Sequence, residues 1–126
     1  MPTVIWVALG GAIGASARYL VGVQALRLMG PGFPWGTLSV NIAGSFLMGM
    51  LIELLAMKIN LPQDVRHFLT TGVLGGFTTF SAFSLDFAIL TERKAHLLAW
   101  SYMGASVAGS ILALFAGLWL IRMVLQ

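Results

Sequence analysis

The sequence predicts an all-α membrane protein built from four transmembrane helices per subunit, the third broken near its middle. Three observations carry that prediction. Of 126 residues, 59% are hydrophobic and 9% are charged, whereas soluble domains carry roughly 25% charged residues. Leu28 to Ile52 and Leu97 to Ile121 contain no charge at all, and each is longer than the ~20 residues a spanning helix needs. The segments between the apolar stretches are short and rich in Pro, Gly or charge, as connections between spans are.

Taken in order, the first span covers roughly 3–29 and is interrupted only by Arg18 and Arg27. No basic segment precedes it and no small-residue cleavage site stands out, so it reads as a retained span rather than a signal peptide. "MGPGFPWG" (29–36) is a Pro/Gly turn in which Trp35 suits the membrane interface. The second span covers 35–57. "KINLPQDVRH" (58–67) is polar, and Pro62 and Asp64 mark the start of the third span at 64–90. "TERKAH" (91–96) leads to the fourth at 96–124. Together, residues 1–126 read as one four-span domain. With no cysteine, disulfides and thiolate metal sites are excluded. The net charge of +3 comes from scattered basic residues with no patch, so nucleic acid is not an expected partner.

Orientation is undecided. Lys58, Arg66 and Arg122 fall on one side of the membrane, and Arg27, Arg93 and Lys94 on the other. Since the Lys/Arg imbalance normally sets orientation, a tie predicts a weak preference. Opposite-facing copies can then pair into an antiparallel dual-topology homodimer; a tie also arises by chance in a chain with few charges.

Polar side chains inside spans are expensive and ask for a partner or a job. Thr37, Asn41 and Ser45 recur every fourth residue in span two, as do Tyr102, Ser106 and Ser110 in span four, which places each set on one helix face. Two readings stay open: glue between helices beside the small residues Gly44, Gly49, Gly104 and Gly109, or a lining of neutral donors that solvates an anion without holding it too tightly. Arg18 serves either as an anchor or as an anion-attracting charge in an aqueous vestibule. Glu53, Asp86 and Glu92, near span ends, read as solvated. His67 and His96 are single and lack a second metal ligand at useful spacing.

"GVLGGFTTFSAFS" (72–84) is the weakest helical stretch. Gly72, Gly75 and Gly76 each cost ~1 kcal/mol relative to Ala, and β-branched Thr78 and Thr79 follow. A break here frees backbone groups, which a membrane tolerates only when they are buried in protein or line a polar cavity. Phe80 and Phe83 share a face and serve packing or present the positive edges of their rings to an anion.

"GGAIGASARY" (10–19), "WGTLSVNIAGSFLMG" (35–49), "GVLGGFTTFSAFS" (72–84) and "YMGASVAGS" (102–110) resemble, in order and spacing, the four spans of the Fluc (CrcB-like) fluoride channels. The resemblance implies an antiparallel homodimer in the inner (plasma) membrane that passes fluoride passively through two pores at the subunit interface. Under it, Asn41 matches the pore asparagine, and Phe80 and Phe83 the rings that touch fluoride. Thr37, Ser81, Tyr102, Ser106 and Ser110 match the polar lining, and Arg18 the basic residue of the vestibule. Gly75 and Thr78 match the residues whose carbonyls hold a structural sodium ion at the dimer centre. Two positions depart from the family pattern: Ala82 stands in the fifth position of the usual TTFSTF, and Asp86 stands where a longer Glu is expected. The implied physiology is fluoride resistance: HF enters, dissociates, and the trapped anion leaves down the membrane potential. No catalytic constellation is present, so no enzyme is expected. The rival reading is a small multidrug-type proton antiporter, which needs a carboxylate in the first span, where this chain has Arg18 and no acid.

Overall fold

The computed structural model describes residues 2–57 and 60–125; Lys58, one of the basic residues weighed for orientation, lies outside them. The described residues are helical without strands, and four helical stretches are long and apolar enough to cross a membrane: Thr3–Met29, Trp35–Met57, Gln63–Glu92 and His96–Leu125. The first two are α1 and α2, and the last is α6. Span three is assembled from α3 (Gln63–His67), a π-helical stretch (Phe68–Leu74), α4 (Gly75–Phe77) and α5 (Ser81–Glu92).

Local chemistry sets the ends. α1 stops at Gly30, which adopts φ 77 and bonds its N–H to Leu26 O at 2.9 Å; glycine takes this left-handed backbone at no steric cost. α3 starts directly after Pro62, and Asp64 in its first turn accepts the Thr3 hydroxyl at 2.6 Å. That bond ties the starts of spans one and three together on one side of the membrane. On the other side Arg93 Nη1 reaches Pro31 O at 3.4 Å, and the α5–α6 turn holds Lys94 at φ 62.

Two seams of close backbone approach assemble the bundle. α1 packs on the π-helical stretch and α4, and α2 packs on α6. In the first seam a Cβ on Gly10 would collide with Phe68 O, and one on Gly14 with Val73 O. In the second, a Cβ on Gly49 would strike Leu114 O and one on Gly117 Phe46 O. Lipid tails are as apolar as leucine, so helices in a bilayer gain little from burying large side chains and associate through such small-residue contacts instead. The densely buried cluster is accordingly small: Leu38, Phe83, Leu90, Ala99 and Tyr102, flanked by Phe33, Ile42, Phe87, Ala95 and Met103. Large residues such as Leu28, Leu97, Trp119 and Met123 are exposed on the chain and face what would be lipid or another subunit.

The structure corrects one reading of the acids. Glu53 is not a solvated end: it is buried, and its Oε1 accepts Arg122 Nη2 at 2.6 Å. α2 and α6 run side by side, so the charge that closes α6 lands beside the one on the last turns of α2. Asp86 is half-buried and accepts the Tyr102 hydroxyl at 3.1 Å, while Glu92 is exposed as expected.

Candidate functional site

Helical conformation in span three is interrupted at residues 78–80. Leading into it, the π-helical stretch closes with Gly75 N–H on Thr70 O, five residues back; such wide turns cluster at functional sites. Thr78 N–H still reaches Leu74 O at 3.1 Å, but Thr78 itself turns extended, with φ −86 and ψ 158. Thr79 N–H is then taken by Asn41 Oδ1 at 2.7 Å, and Asn41 Nδ2 donates to Thr79 O at 2.9 Å. This reciprocal pair fixes which end of the amide is oxygen, because only one orientation satisfies both bonds. Arg18 Nε donates to Gly76 O at 3.1 Å. Ala82 N–H goes to Thr79 Oγ1 at 3.1 Å, which also sits 3.3 Å from Ser81 Oγ. The carbonyls of Gly75 and Thr78 therefore lose their helical donors, the N–H groups of Thr79 and Ala82.

Beside the interruption lies a groove of about 330 Å³, lined by Asn41, Ser45, Thr78, Thr79, Phe80, Phe83, Ser106, Val107, Ser110 and Ile111. Its decisive feature is on α6. Ser106 and Ser110 have buried hydroxyl oxygens with no hydrogen-bond partner of good geometry among the described residues, although the Tyr102 hydroxyl lies near enough to Ser106 to interact with it. A hydroxyl in a span can bond the carbonyl four residues back, and here Thr70, Thr78, Ser84 and Thr91 do so, at 2.8–3.0 Å. Ser106 and Ser110 decline that option and line the groove instead. A buried polar group left unpaired costs about 1–3 kcal/mol, so two such groups in one groove point to a polar occupant. Opposite them, the rings of Phe80 and Phe83 lie 5.3 Å apart between centroids at 55°. Phe83 is buried against Tyr102, whereas Phe80 is 75% exposed on the chain.

The structure gathers Asn41, Phe80, Phe83, Ser106 and Ser110 around this groove and separates the other expected residues from it. Tyr102 is fully buried in the core with its hydroxyl on Asp86. Thr37 belongs to a neighbouring cavity of about 290 Å³ that also holds Arg18, Thr79 and Ala82. Ser81 is exposed beside the groove. Ser45, one turn beyond Asn41, lines it as well and was visible in the sequence as the third member of the stripe. Thr79 was not visible: it contributes its backbone to Asn41, and nothing in a side-chain pattern reports that.

Residues 5–118 match the family described as CrcB-like protein, Camphor Resistance (CrcB). The chain belongs to this family. It is 60% identical over 119 residues to the "Fluoride-specific ion channel FluC" of Chelativorans sp. (strain BNC1), covering 94% of this chain and 95% of that protein. It is 59% identical to the FluC of Agrobacterium fabrum (strain C58 / ATCC 33970), covering 94% of each chain. To that of Caulobacter vibrioides (strain NA1000 / CB15N) it is 52% identical, covering 98% of each. These CrcB-family relatives span essentially the whole chain, including the motifs at residues 10–19, 35–49, 72–84 and 102–110.

Proposed function

We propose that this chain is a fluoride-specific ion channel of the bacterial plasma membrane and gives passive, multi-pass-protein-mediated export of the anion. The observation that carries the reading is the pair of unpartnered serine hydroxyls, Ser106 and Ser110, turned into a groove that Asn41, Phe80 and Phe83 also line. Asn41 keeps one amide N–H after its bonds to Thr79, and each serine keeps an O–H. Neutral donors replace the hydration of a small anion while leaving it free to move on, which conduction requires. The ring edges of Phe80 and Phe83 carry partial positive charge and supply contacts that a fixed cation would make too tight. The relatives named for fluoride cover nearly the full chain.

The working unit is an antiparallel homodimer with two pores at the subunit interface. Support comes from the tie in basic residues between the two sides and from the exposure of Phe80 beside the groove, a ring that a second copy would cover. The interruption of span three belongs to the same design. Gly75 and Thr78 present carbonyl oxygens without helical donors, and an all-oxygen, uncharged donor set suits a hard monovalent cation. A structural sodium ion held by these carbonyls would supply fixed positive charge near the dimer centre. Arg18, bonded to Gly76 O, places a second positive charge near the same backbone.

The test is efflux from liposomes holding the purified protein, with fluoride compared with chloride under a potassium/valinomycin potential. The expected result is rapid fluoride loss with chloride retained. Retention of fluoride by vesicles containing verified dimers overturns the proposal.

A further inference from the structure

We infer that Asn41 is a positioning residue for the cation site: its side-chain amide keeps the Gly75 carbonyl free, and so links the anion-facing stripe of α2 to the cation-facing backbone of span three. The inference rests on the proposed channel reading and adds to it a coupling between its two ion sites.

In a continuous α-helix the N–H of residue 79 bonds the carbonyl of residue 75. The ladder holds one step earlier, where Thr78 N–H meets Leu74 O at 3.1 Å, and stops at the next. The group that stops it is Asn41, which takes Thr79 N–H at 2.7 Å and returns Nδ2 to Thr79 O at 2.9 Å. Two bonds from a neighbouring helix hold Thr79 as a paired strand residue would be held. Two other groups displaced by the interruption are covered from elsewhere: Gly76 O by Arg18 Nε of α1, and Ala82 N–H by Thr79 Oγ1. Asn41 alone reaches across from α2 to decide whether Gly75 O is available.

Removing that amide has a defined consequence. Inside a membrane an N–H must find an acceptor, and for Thr79 the nearest by helical geometry is Gly75 O. The helix heals by one bond, and the carbonyl proposed to hold the cation is consumed by the chain's own backbone. Asn41→Leu therefore acts on cation binding without touching the cation. Asn41→Asp behaves differently: a carboxyl or carboxylate oxygen still accepts Thr79 N–H, so Gly75 O stays free, while a negative charge beside the groove repels an anion.

The experiment measures the thermal unfolding midpoint of the full-length protein in detergent, in sodium chloride and in N-methyl-D-glucamine chloride of equal ionic strength, with fluoride efflux in parallel. Wild type is expected to gain a sodium-dependent rise in midpoint. Asn41→Leu loses that rise and its flux. Asn41→Asp keeps the rise and loses flux; the Ser106→Ala/Ser110→Ala double variant, whose hydroxyls make no hydrogen bond to residues 75–79, keeps the rise and conducts about tenfold more slowly or worse. A wild-type rise retained in Asn41→Leu overturns the clamp and leaves the channel reading standing. If Asn41→Leu does not fold, folded Asn41→Asp decides, and loss of its rise overturns the clamp. A wild type that conducts fluoride but gains nothing from sodium removes the cation site and the coupling with it, whereas absence of fluoride flux with the rise intact removes the channel reading alone.

Discussion

The two walls of the groove handle polar atoms in opposite ways. On α2, Asn41 binds the backbone of Thr79 twice; on α6, Ser106 and Ser110 leave their hydroxyls without partners and do not bond the carbonyls four residues back, as Thr70, Thr78, Ser84 and Thr91 do. In a solvent without hydrogen-bonding capacity each unpaired group costs more than in water, so the difference separates architecture from occupancy. A satisfied polar group such as Asn41 holds the backbone of span three in place, and the unsatisfied ones leave hydroxyls open to the groove.

Substitutions on the two walls should therefore divide along that line. The largest effect is expected for Asn41→Leu, which leaves Thr79 O without its donor at about 1–3 kcal/mol while Thr79 N–H turns back onto Gly75 O; fluoride efflux should cease and the unfolding midpoint in detergent should fall. A variant with wild-type stability would show that the α2 wall is not architectural. Next comes Ser106→Ala/Ser110→Ala. Hydrogen bonds to a charged group contribute about 1.5–3 kcal/mol and 1.4 kcal/mol is tenfold, so efflux should slow about tenfold or more while stability stays level or rises. If stability drops with flux, the serines are helix glue.

Replacing both rings, Phe80→Ile with Phe83→Ile, should weaken flux by a smaller factor. Full flux in that double variant would sink the ring-edge contact. The smallest effect belongs to the other satisfied pair. Arg122→Gln strands buried Glu53, yet Arg122 is half exposed, so screening limits the loss to about 1 kcal/mol. Stability should fall slightly with fluoride efflux unchanged, and a change in ion selectivity would break the division between the two kinds of polar group.

Much of this was readable beforehand. Four helices follow from apolar stretches long enough to span, because a bilayer admits no unpaired backbone and leaves helix as the default. The polar faces followed from spacing by four, which any helix aligns. Within a face, spacing could not separate members: Tyr102 shares a face with Ser106 and Ser110, yet it is sealed in the core on Asp86 while they line the groove. Phe80 and Phe83 likewise share a face and differ almost completely in exposure.

The sequence by itself determined the medium, the number of helices and which faces carry polar atoms, since these depend on composition and on the fixed geometry of the helix. Only the tertiary structure decided the partners. Asn41 meets a backbone 38 residues away, Arg18 one 58 residues away, and Glu53 a guanidinium 69 residues away. Helix periodicity relates residues three and four apart and says nothing about which helix lies alongside. That choice is made where Gly10, Gly14, Gly49 and Gly117 let backbones approach, and it turns similar-looking polar residues into a clamp, an ion pair and an open lining.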